Sequence, residues 1–393
     1  MRLLEYLTHL SVLWRVSMKT NWQTKNIENC IGKIIYTNKI QRKDFLESGI
    51  FPVISQEQDL INGYWNKKED VFRISRPVIV FGDHTQILKY VDFDFVLGAD
   101  GVKLLQPKEF LYPKYFYYFL QSINLRSLGY ARHYRILKEK DISYPESISE
   151  QKRIVKILDE AFEKLKKVKE NTKKNLQKSK ELFESYLNDV FSKPGKDWEQ
   201  KTLKEVCEKI TDGSHNPPNG VLESDYMMLS SKNVFNDQIN YDNPRFLLEK
   251  DFLLENKRTS IKPGNILLTI VGTIGRVCVV PSGHKPFALQ RSVAVIKNNI
   301  NVLDSRFLMY LLQSKLESIE KEAHGAAQKG IYLNQLKDIM ISFPALKEQK
   351  QIVKKLDRLS EKTQKLESLC KQKLENIEEL KKSILQKAFN GDL

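Results

Sequence analysis

The sequence predicts two globular regions of mixed α/β (α+β) type, each followed by a long α-helix. The two helices pair as a coiled coil, and the whole forms a pseudo-twofold internal repeat. Three observations predict this: a 42-residue segment occurs twice, both copies carry a heptad stripe, and the stretches between hold short apolar runs ending at glycine.

The chain opens on MRLLEYLTHLSVLWRVSMKTNW, an apolar stretch interrupted by Glu5, His9 and Arg15 and too short to cross a bilayer. Residues 1–18 are expected to be an N-terminal helix or a loosely ordered extension, and Met18 is a second candidate start. The first globular region follows over residues 19–148. Its run Pro77-Val-Ile-Val-Phe-Gly reads as a buried strand. The aromatic stretch Tyr115 to Phe119 could be a base-stacking platform, but its helical continuation and an apolar counterpart at 307–312 favour core packing. The first long helix is placed at residues 149–193, with Pro194-Gly195 closing it. The second globular region spans 194–346. Its strands are expected at Asn265-Ile-Leu-Leu-Thr-Ile-Val-Gly, Val277-Cys-Val-Val and Ser292-Val-Ala-Val-Ile. The second long helix is placed at 347–393.

The repeat carries most of this reading. Residues 150–191 and 348–389 align without a gap at an offset of 198, with 18 of 42 positions identical. Trp22-Gln-Thr-Lys-Asn-Ile answers Trp198-Glu-Gln-Lys-Thr-Leu, and Tyr115-Phe-Tyr-Tyr-Phe-Leu-Gln-Ser answers Phe307-Leu-Met-Tyr-Leu-Leu-Gln-Ser. Between these matches the halves diverge. Within each repeated segment, positions three and four apart form a stripe. In the first copy it holds Leu158, Ala161, Leu165, Val168, Thr172, Asn175, Ser179, Leu182 and Tyr186. In the second it holds Leu356, Leu359, Thr363, Leu366, Cys370, Lys373, Ile377, Leu380 and Ile384. Such a stripe needs a helical partner, and 42 residues of helix make a rod of roughly 60 Å. Runs such as Lys164-Leu-Lys-Lys and Lys173-Lys174 read as a solvated helix face.

The chain has 393 residues and a formal net charge of +15. That balance points to a polyanion, nucleic acid first. Cysteines stand alone at 30, 207, 278 and 370, which excludes a close-spaced zinc or disulfide pattern and fits a reducing, cytoplasmic setting. No phosphate-binding G-x-x-x-x-G-K-[ST] loop is present, and no Pro-Asp pair opens a nuclease pattern. His215-Asn216-Pro217-Pro218-Asn219 invites comparison with the catalytic loop of adenine-N6 methyltransferases. However, Asn219 stands where that loop needs an aromatic, and no strand-to-glycine loop for S-adenosylmethionine precedes it. A rigid turn is the better reading, since each proline fixes φ and removes a donor.

Polar side chains beside the strands are the better candidates for function, because these residue types read base edges and grip phosphates. In the first region they are Ser55, Gln56, Lys67, His84, Thr85, Arg132, His133 and Arg135. In the second they are Asp212, Ser214, His215, Asn216, Ser231, Lys232, Asn233, Thr273, Arg276, Gln290, Arg291, Gln328 and Lys329. Ordinary turn chemistry is the competing explanation for each.

Several phrases together resemble one family. Glu150-Gln-Lys-Arg-Ile-Val and Glu348-Gln-Lys-Gln-Ile-Val follow proline-containing strand ends, and the chain closes on Leu385-Gln-Lys-Ala-Phe-Asn-Gly391. With Asp212-Gly-Ser-His-Asn-Pro-Pro and Gly272-Thr-Ile-Gly-Arg, the sequence is similar to the specificity subunits of type I restriction–modification systems over roughly residues 20–393. The first region lacks a clear counterpart of the last two phrases. The resemblance implies that each globular region is a target recognition domain reading one half of a bipartite, asymmetric DNA site. It implies that the helices pair antiparallel, set the spacing and dock two methyltransferase subunits, with restriction subunits joining the complex. Catalysis, with S-adenosylmethionine, ATP and Mg, would reside in those partners, and this chain would hold no metal and no cofactor. Geometry agrees independently: one chain with two unlike readers suits an asymmetric site, whereas a symmetric dimer reads a palindrome. The alternatives are a self-contained adenine-N6 methyltransferase, which S-adenosylmethionine binding would reveal, and a structural coiled-coil protein without DNA affinity.

Overall fold

The computed structural model describes residues 21–392 apart from 100, 127, 128, 130, 236, 317, 318 and 320–329. The expected N-terminal helix (1–18) and the candidates Gln328 and Lys329 lie outside the described residues. The chain divides into two compact units. One comprises the chain through Lys173 together with the segment from Lys371 onward; the other is Lys174–Cys370. The two long helices, Ile148–Ser192 and Leu346–Asn390, each contribute to both units.

In the first unit, Trp22–Asn26 pairs antiparallel with Asp141–Pro145, so the two ends of the globular region meet at the base of the first long helix. A mixed sheet is built on Phe95–Gly98, which runs parallel to Lys39–Ile40 and Phe51–Ile54 and antiparallel to Val71–Phe72. A second sheet places Val78–Gly82 between Leu88–Val91 and Val102–Leu105. The strand expected at Pro77–Gly82 is therefore present as Val78–Gly82, and all five of those residues are buried. The aromatic stretch forms the helix Pro113–Ser122, with proline in its first turn where the missing N–H costs nothing. Tyr115 and Phe116 are fully buried, and Phe389 of the second long helix meets Tyr115 and Phe119 edge-on, at centroid distances of 5.2 and 5.3 Å. The stretch is core, as its periodicity implies. Ile377 and Ile384 join Leu158 and Leu165 in the same cluster, so the start of one long helix packs against the end of the other, antiparallel.

The second unit repeats the frame. Glu199–Thr202 pairs antiparallel with Met340–Phe343. A four-stranded sheet runs in the order Cys207–Asp212, Val293–Asn298, Ile266–Thr269, Val277–Val279. A three-stranded sheet places Tyr226–Leu229 between Arg245–Leu247 and Phe287–Leu289. The helix Ser305–Ser314, capped by Asp304, is buried over most of its length. Leu187, Val353 and Leu356 pack with it in one core.

One feature of the frame occurs in both units. Gln151 Oε1 accepts the backbone N–H of Tyr112 (2.8 Å), and its Nε2 donates to the carbonyls of Phe110 (2.9 Å) and Pro145 (2.8 Å). Gln349 does the same with the N–H of Asp304 (2.8 Å) and the carbonyls of Val302 (2.9 Å) and Pro344 (2.7 Å). Both amides are fully buried. Eight residues later, Tyr118 donates to Asp159 (2.5 Å) and Tyr310 to Asp357 (2.7 Å). These side chains lock each globular region to the base of its helix.

The stripe departs from the heptad reading midway along each helix. Leu182 is 57% exposed, Leu366 is 44% exposed, and Tyr186 is also exposed. Their neighbours Phe183, Leu187 and Glu367 turn inward instead, and Leu176 and Leu374 replace Asn175 and Lys373. An α-helix of 3.6 residues per turn drifts about 20° per heptad from a 3.5-residue repeat, so in the first helix the buried line advances by one position, whereas in the second it returns to the stripe at Cys370 and Ile377. The remaining seam residues, Leu158, Leu165, Val168, Leu356, Leu359, Ile377, Leu380 and Ile384, are buried or half-buried.

Candidate nucleic-acid interface

In the first unit the strand Phe51–Ile54 runs into Ser55 and Gln56, and the strand Val78–Gly82 into a turn over Asp83–Gln86. The two turns meet. Thr85 Oγ1 donates to the Gln56 carbonyl (2.8 Å), and the His84 N–H to Gln56 Oε1 (3.3 Å). Gly82 and Gly101 are needed here, because a Cβ on either would strike Gln56, Thr85 or His84, and Gly101 sits at φ +74°. Asp83 ties in a third segment: its carbonyl accepts the His133 N–H (2.8 Å) and faces His133 Nδ1 (3.0 Å), and its carboxylate accepts the Tyr134 N–H (2.7 Å). Gln56, His84, Thr85 and His133 are thereby assembled, with Arg132 and Arg135 exposed beside them. His133 and Ser55 are buried, at 1% and 3%. Ser55 Oγ donates to Asn62 (2.9 Å), so both residues hold the turns in place. Lys67 stands apart, over the ring of Trp65.

A buried lysine underlies this edge. Lys89 is 4% exposed, and its ammonium donates to the carbonyls of Asp59 and Leu60 and to Asn62 Oδ1 (2.8 Å). Asn62 Oδ1 also accepts the N–H of Ser55 (2.8 Å), so one cation organises the whole loop after Ile54. Burial draws the Lys89 pKa down to about 8, while Glu57 and Asp59 pull it up. Sequence reading missed Lys89, whose only signal is a lysine at an inward position of an otherwise apolar strand.

In the second unit four turns converge. Ser214 donates its N–H to the Leu289 carbonyl (2.7 Å), Gln290 donates its own to Leu229 (2.9 Å), and Arg291 donates to the Ser214 carbonyl (2.9 Å). Ser231 N–H reaches Ser292 Oγ (3.0 Å), and the Ile270 N–H donates to the Ser292 carbonyl (2.9 Å). Gly213 lies against the Leu289 carbonyl so closely that no Cβ fits. The convergence presents His215, Asn216, Lys232, Thr273 and Arg291 as exposed side chains, with Ser231, Arg276 and Gln290 half-exposed. Arg276 lies over the ring of Phe235, its guanidinium 4.7 Å from the centroid.

Three predicted residues of this region are turned inward. Asp212 is buried and holds His215 Nε2 (2.8 Å) and the Arg258 guanidinium. Asn233 is buried, accepting from the Ser230 N–H (3.0 Å) and donating to the carbonyls of Asn240 and Asp242 (both 3.1 Å). Ser214 is also buried. Their contacts shape the edge. Arg258, on the helix Glu249–Thr259, was not legible in the sequence, nor was Arg306, which forks onto Asp237 (2.9 and 3.0 Å) and reaches Asp357 (2.7 Å).

Among the described residues no group of three or more His, Cys, Asp or Glu could hold a metal ion, and no helix is long and apolar enough to cross a membrane. The edges offer hydrogen-bond donors, acceptors and cations on rigid turns, the chemistry of base and phosphate recognition.

Comparison with known proteins agrees with this reading. The model of the family "Type I restriction modification DNA specificity domain" matches twice, over residues 19–178 and 195–378. The specificity subunit of the type I restriction enzyme EcoR124I/EcoR124II from Escherichia coli is 24% identical over 342 residues, 81% of each chain. That of MjaVIII from Methanocaldococcus jannaschii is 27% identical over 324 residues, 76% of this chain and 74% of the relative. The EcoBI specificity subunit from Escherichia coli is 30% identical over 148 residues, and the chain spans only 31% of its length. Among solved structures, a chain from a study of complex assembly and conformational transition of the type I R-M system superposes with a TM-score of 0.70 at 18% identity, covering 96% of this chain and all of that one. The HsdS subunit from Thermoanaerobacter tengcongensis superposes at 0.53 and 17% identity, covering 96% and 99%.

Proposed function

The chain belongs to the type I restriction–modification DNA specificity family, whose role is DNA recognition, and on that premise we propose that its two globular regions each read one half of a bipartite, asymmetric DNA site. The family's specificity subunits are not enzymes; methylation and cleavage are the work of partner subunits. In this reading the recognition domains are residues 19–148 and 194–346, and the long helices, 149–193 and 347–393, set the distance between half-sites. Two methyltransferase subunits dock on the helices, and restriction subunits complete the assembly. S-adenosylmethionine, ATP and Mg belong to those partners, and the complex works in the cytoplasm.

The observation that carries this reading is that one frame holds two unlike edges. The Gln151 and Gln349 clasps are the same bond for bond, whereas the first edge presents Gln56, His84, Thr85, Arg132 and Arg135 and the second His215, Asn216, Lys232, Arg276, Gln290 and Arg291. A frame that repeats while its reading surface changes suits a target whose halves differ. The test is to map methylated adenines across a genome with and without the gene for this chain. A bipartite motif that disappears on deletion supports the reading, and an unchanged methylation map contradicts it.

A further inference from the structure

The sequence candidates leave out a second basic surface of the first unit. A cleft of about 480 Å³ is lined by Glu28, Lys33, Tyr36, Lys108 and Tyr134, together with Gly32, Leu104 and two isoleucines. Its walls are fixed by the backbone. Gly32 N–H donates to the Gln106 carbonyl (2.9 Å) and Lys108 N–H to the Cys30 carbonyl (2.9 Å), which clamps the segments bearing Lys33 and Lys108 side by side. Tyr36 is anchored through its hydroxyl, which accepts the Leu104 N–H (3.0 Å). Each tyrosine carries a lysine over its ring, Lys39 at 4.8 Å from Tyr36 and Lys103 at 5.6 Å from Tyr134. The one acid in the lining, Glu28, is taken up by Lys138 at 2.7 Å.

The charge of the lining is therefore positive: Lys33 and Lys108 stand in it, and its one carboxylate is already paired with Lys138. Lys33 and Lys108 are exposed. Lysines of this kind act as point charges and do not discriminate between bases, whereas a phosphate needs only point charge and proximity. The same short helix, Tyr134–Lys138, provides one wall of the cleft and abuts the Asp83 turn of the reading edge. We propose that this cleft is a phosphate-binding site that holds the DNA backbone beside the first reading edge, contributing affinity without sequence choice. The proposal rests on the DNA-recognition reading and adds to it a site for the backbone.

The test uses the full-length chain and two duplexes: random-sequence DNA, and the methylated motif mapped as above in unmethylated form. Binding constants are measured against salt for wild type, for Lys33→Gln/Lys108→Gln and for Lys33→Arg/Lys108→Arg, with melting midpoints as a fold check. Each lost phosphate contact lowers the slope of log K against log salt by about 0.9. The glutamine pair should lower it by about 2, so its deficit against wild type shrinks by roughly tenfold between 50 and 200 mM salt. The loss should be equal on both duplexes, and the arginine pair should restore the slope. An unchanged slope, as expected if the cleft instead docks a protein, overturns the proposal while wild-type binding keeps the DNA reading intact. A loss confined to the specific duplex also overturns it, since that would mark base readout. A wild-type chain that binds neither duplex would count against the DNA reading itself, and the cleft would fall with it.

Discussion

Three buried polar side chains matter more to this fold than their number suggests. Gln151 and Gln349 each satisfy three backbone groups from fully buried positions. Truncating either to alanine should cost about 1–3 kcal/mol, because the carbonyls and the N–H stay buried and unpaired; denaturant unfolding of the two single variants measures it. Lys89 behaves differently. Its pKa falls from 10.5 to about 8 on folding, so between those values the unfolded chain binds more protons than the folded one. Stability contributed at this site therefore rises with pH through that window, and it is the charged form below pH 8 that is costly. Lys89→Met should abolish that rise and also loosen the loop carrying Gln56. Unfolding of both proteins from pH 7 to 10.5 compares the slopes, and parallel slopes would refute the assignment. The glutamines were visible in the sequence as part of the repeated Glu-Gln-Lys phrase, though not their role. Lys89 was missed, because its one local signal, an inward position in a short apolar strand, does not show that a lysine will find three acceptors there.

At the scale of elements, the two long helices and four of the strands follow from pattern alone. Period-3.6 stripes and apolar runs bounded by glycine are local signals, and the strands at Val78–Gly82, Ile266–Thr269 and Val293–Asn298 lie where those signals place them. What pattern misjudged was phase. A strict heptad keeps Leu182 in the seam, but the 3.6-residue turn drifts from that repeat, and Phe183 takes its place and packs near Tyr310. Phe183→Ala should thus be clearly destabilising and Leu182→Ala nearly neutral, a ranking that thermal unfolding of the pair decides. The residue types of the proposed reading edges were legible near strand ends. Which of those residues face outward was not, because that depends on long-range bonds such as Arg258 to Asp212 and Ser214 to Leu289. Gly213→Ala probes the second edge directly. With no room for a Cβ against the Leu289 carbonyl, the turn must shift, at a cost of about 1–3 kcal/mol. Recognition of one half-site should weaken while the other is kept, and binding to duplexes carrying single half-site changes reads this out.

For the molecule as a whole, the duplication gives the net charge of +15 its meaning. Much of that excess lies on exposed faces of the long helices, for example at Lys164, Lys166, Lys173 and Lys174, and so is not available at the reading edges. By our proposals, the share that matters for DNA lies on the two edges and in the Lys33–Lys108 cleft. The central claim is that two different readers are held at a set distance by the repeated helices. Removing one heptad from each helix, at aligned positions, shortens the ruler by about 10 Å, or roughly three base pairs of DNA. Methylation mapping of the double-deletion complex, or selection of bound sequences from a library with varied spacers, then tests the claim most directly. The account predicts the same two half-sites separated by a spacer about three base pairs shorter; the same half-sites at an unchanged spacer would contradict it.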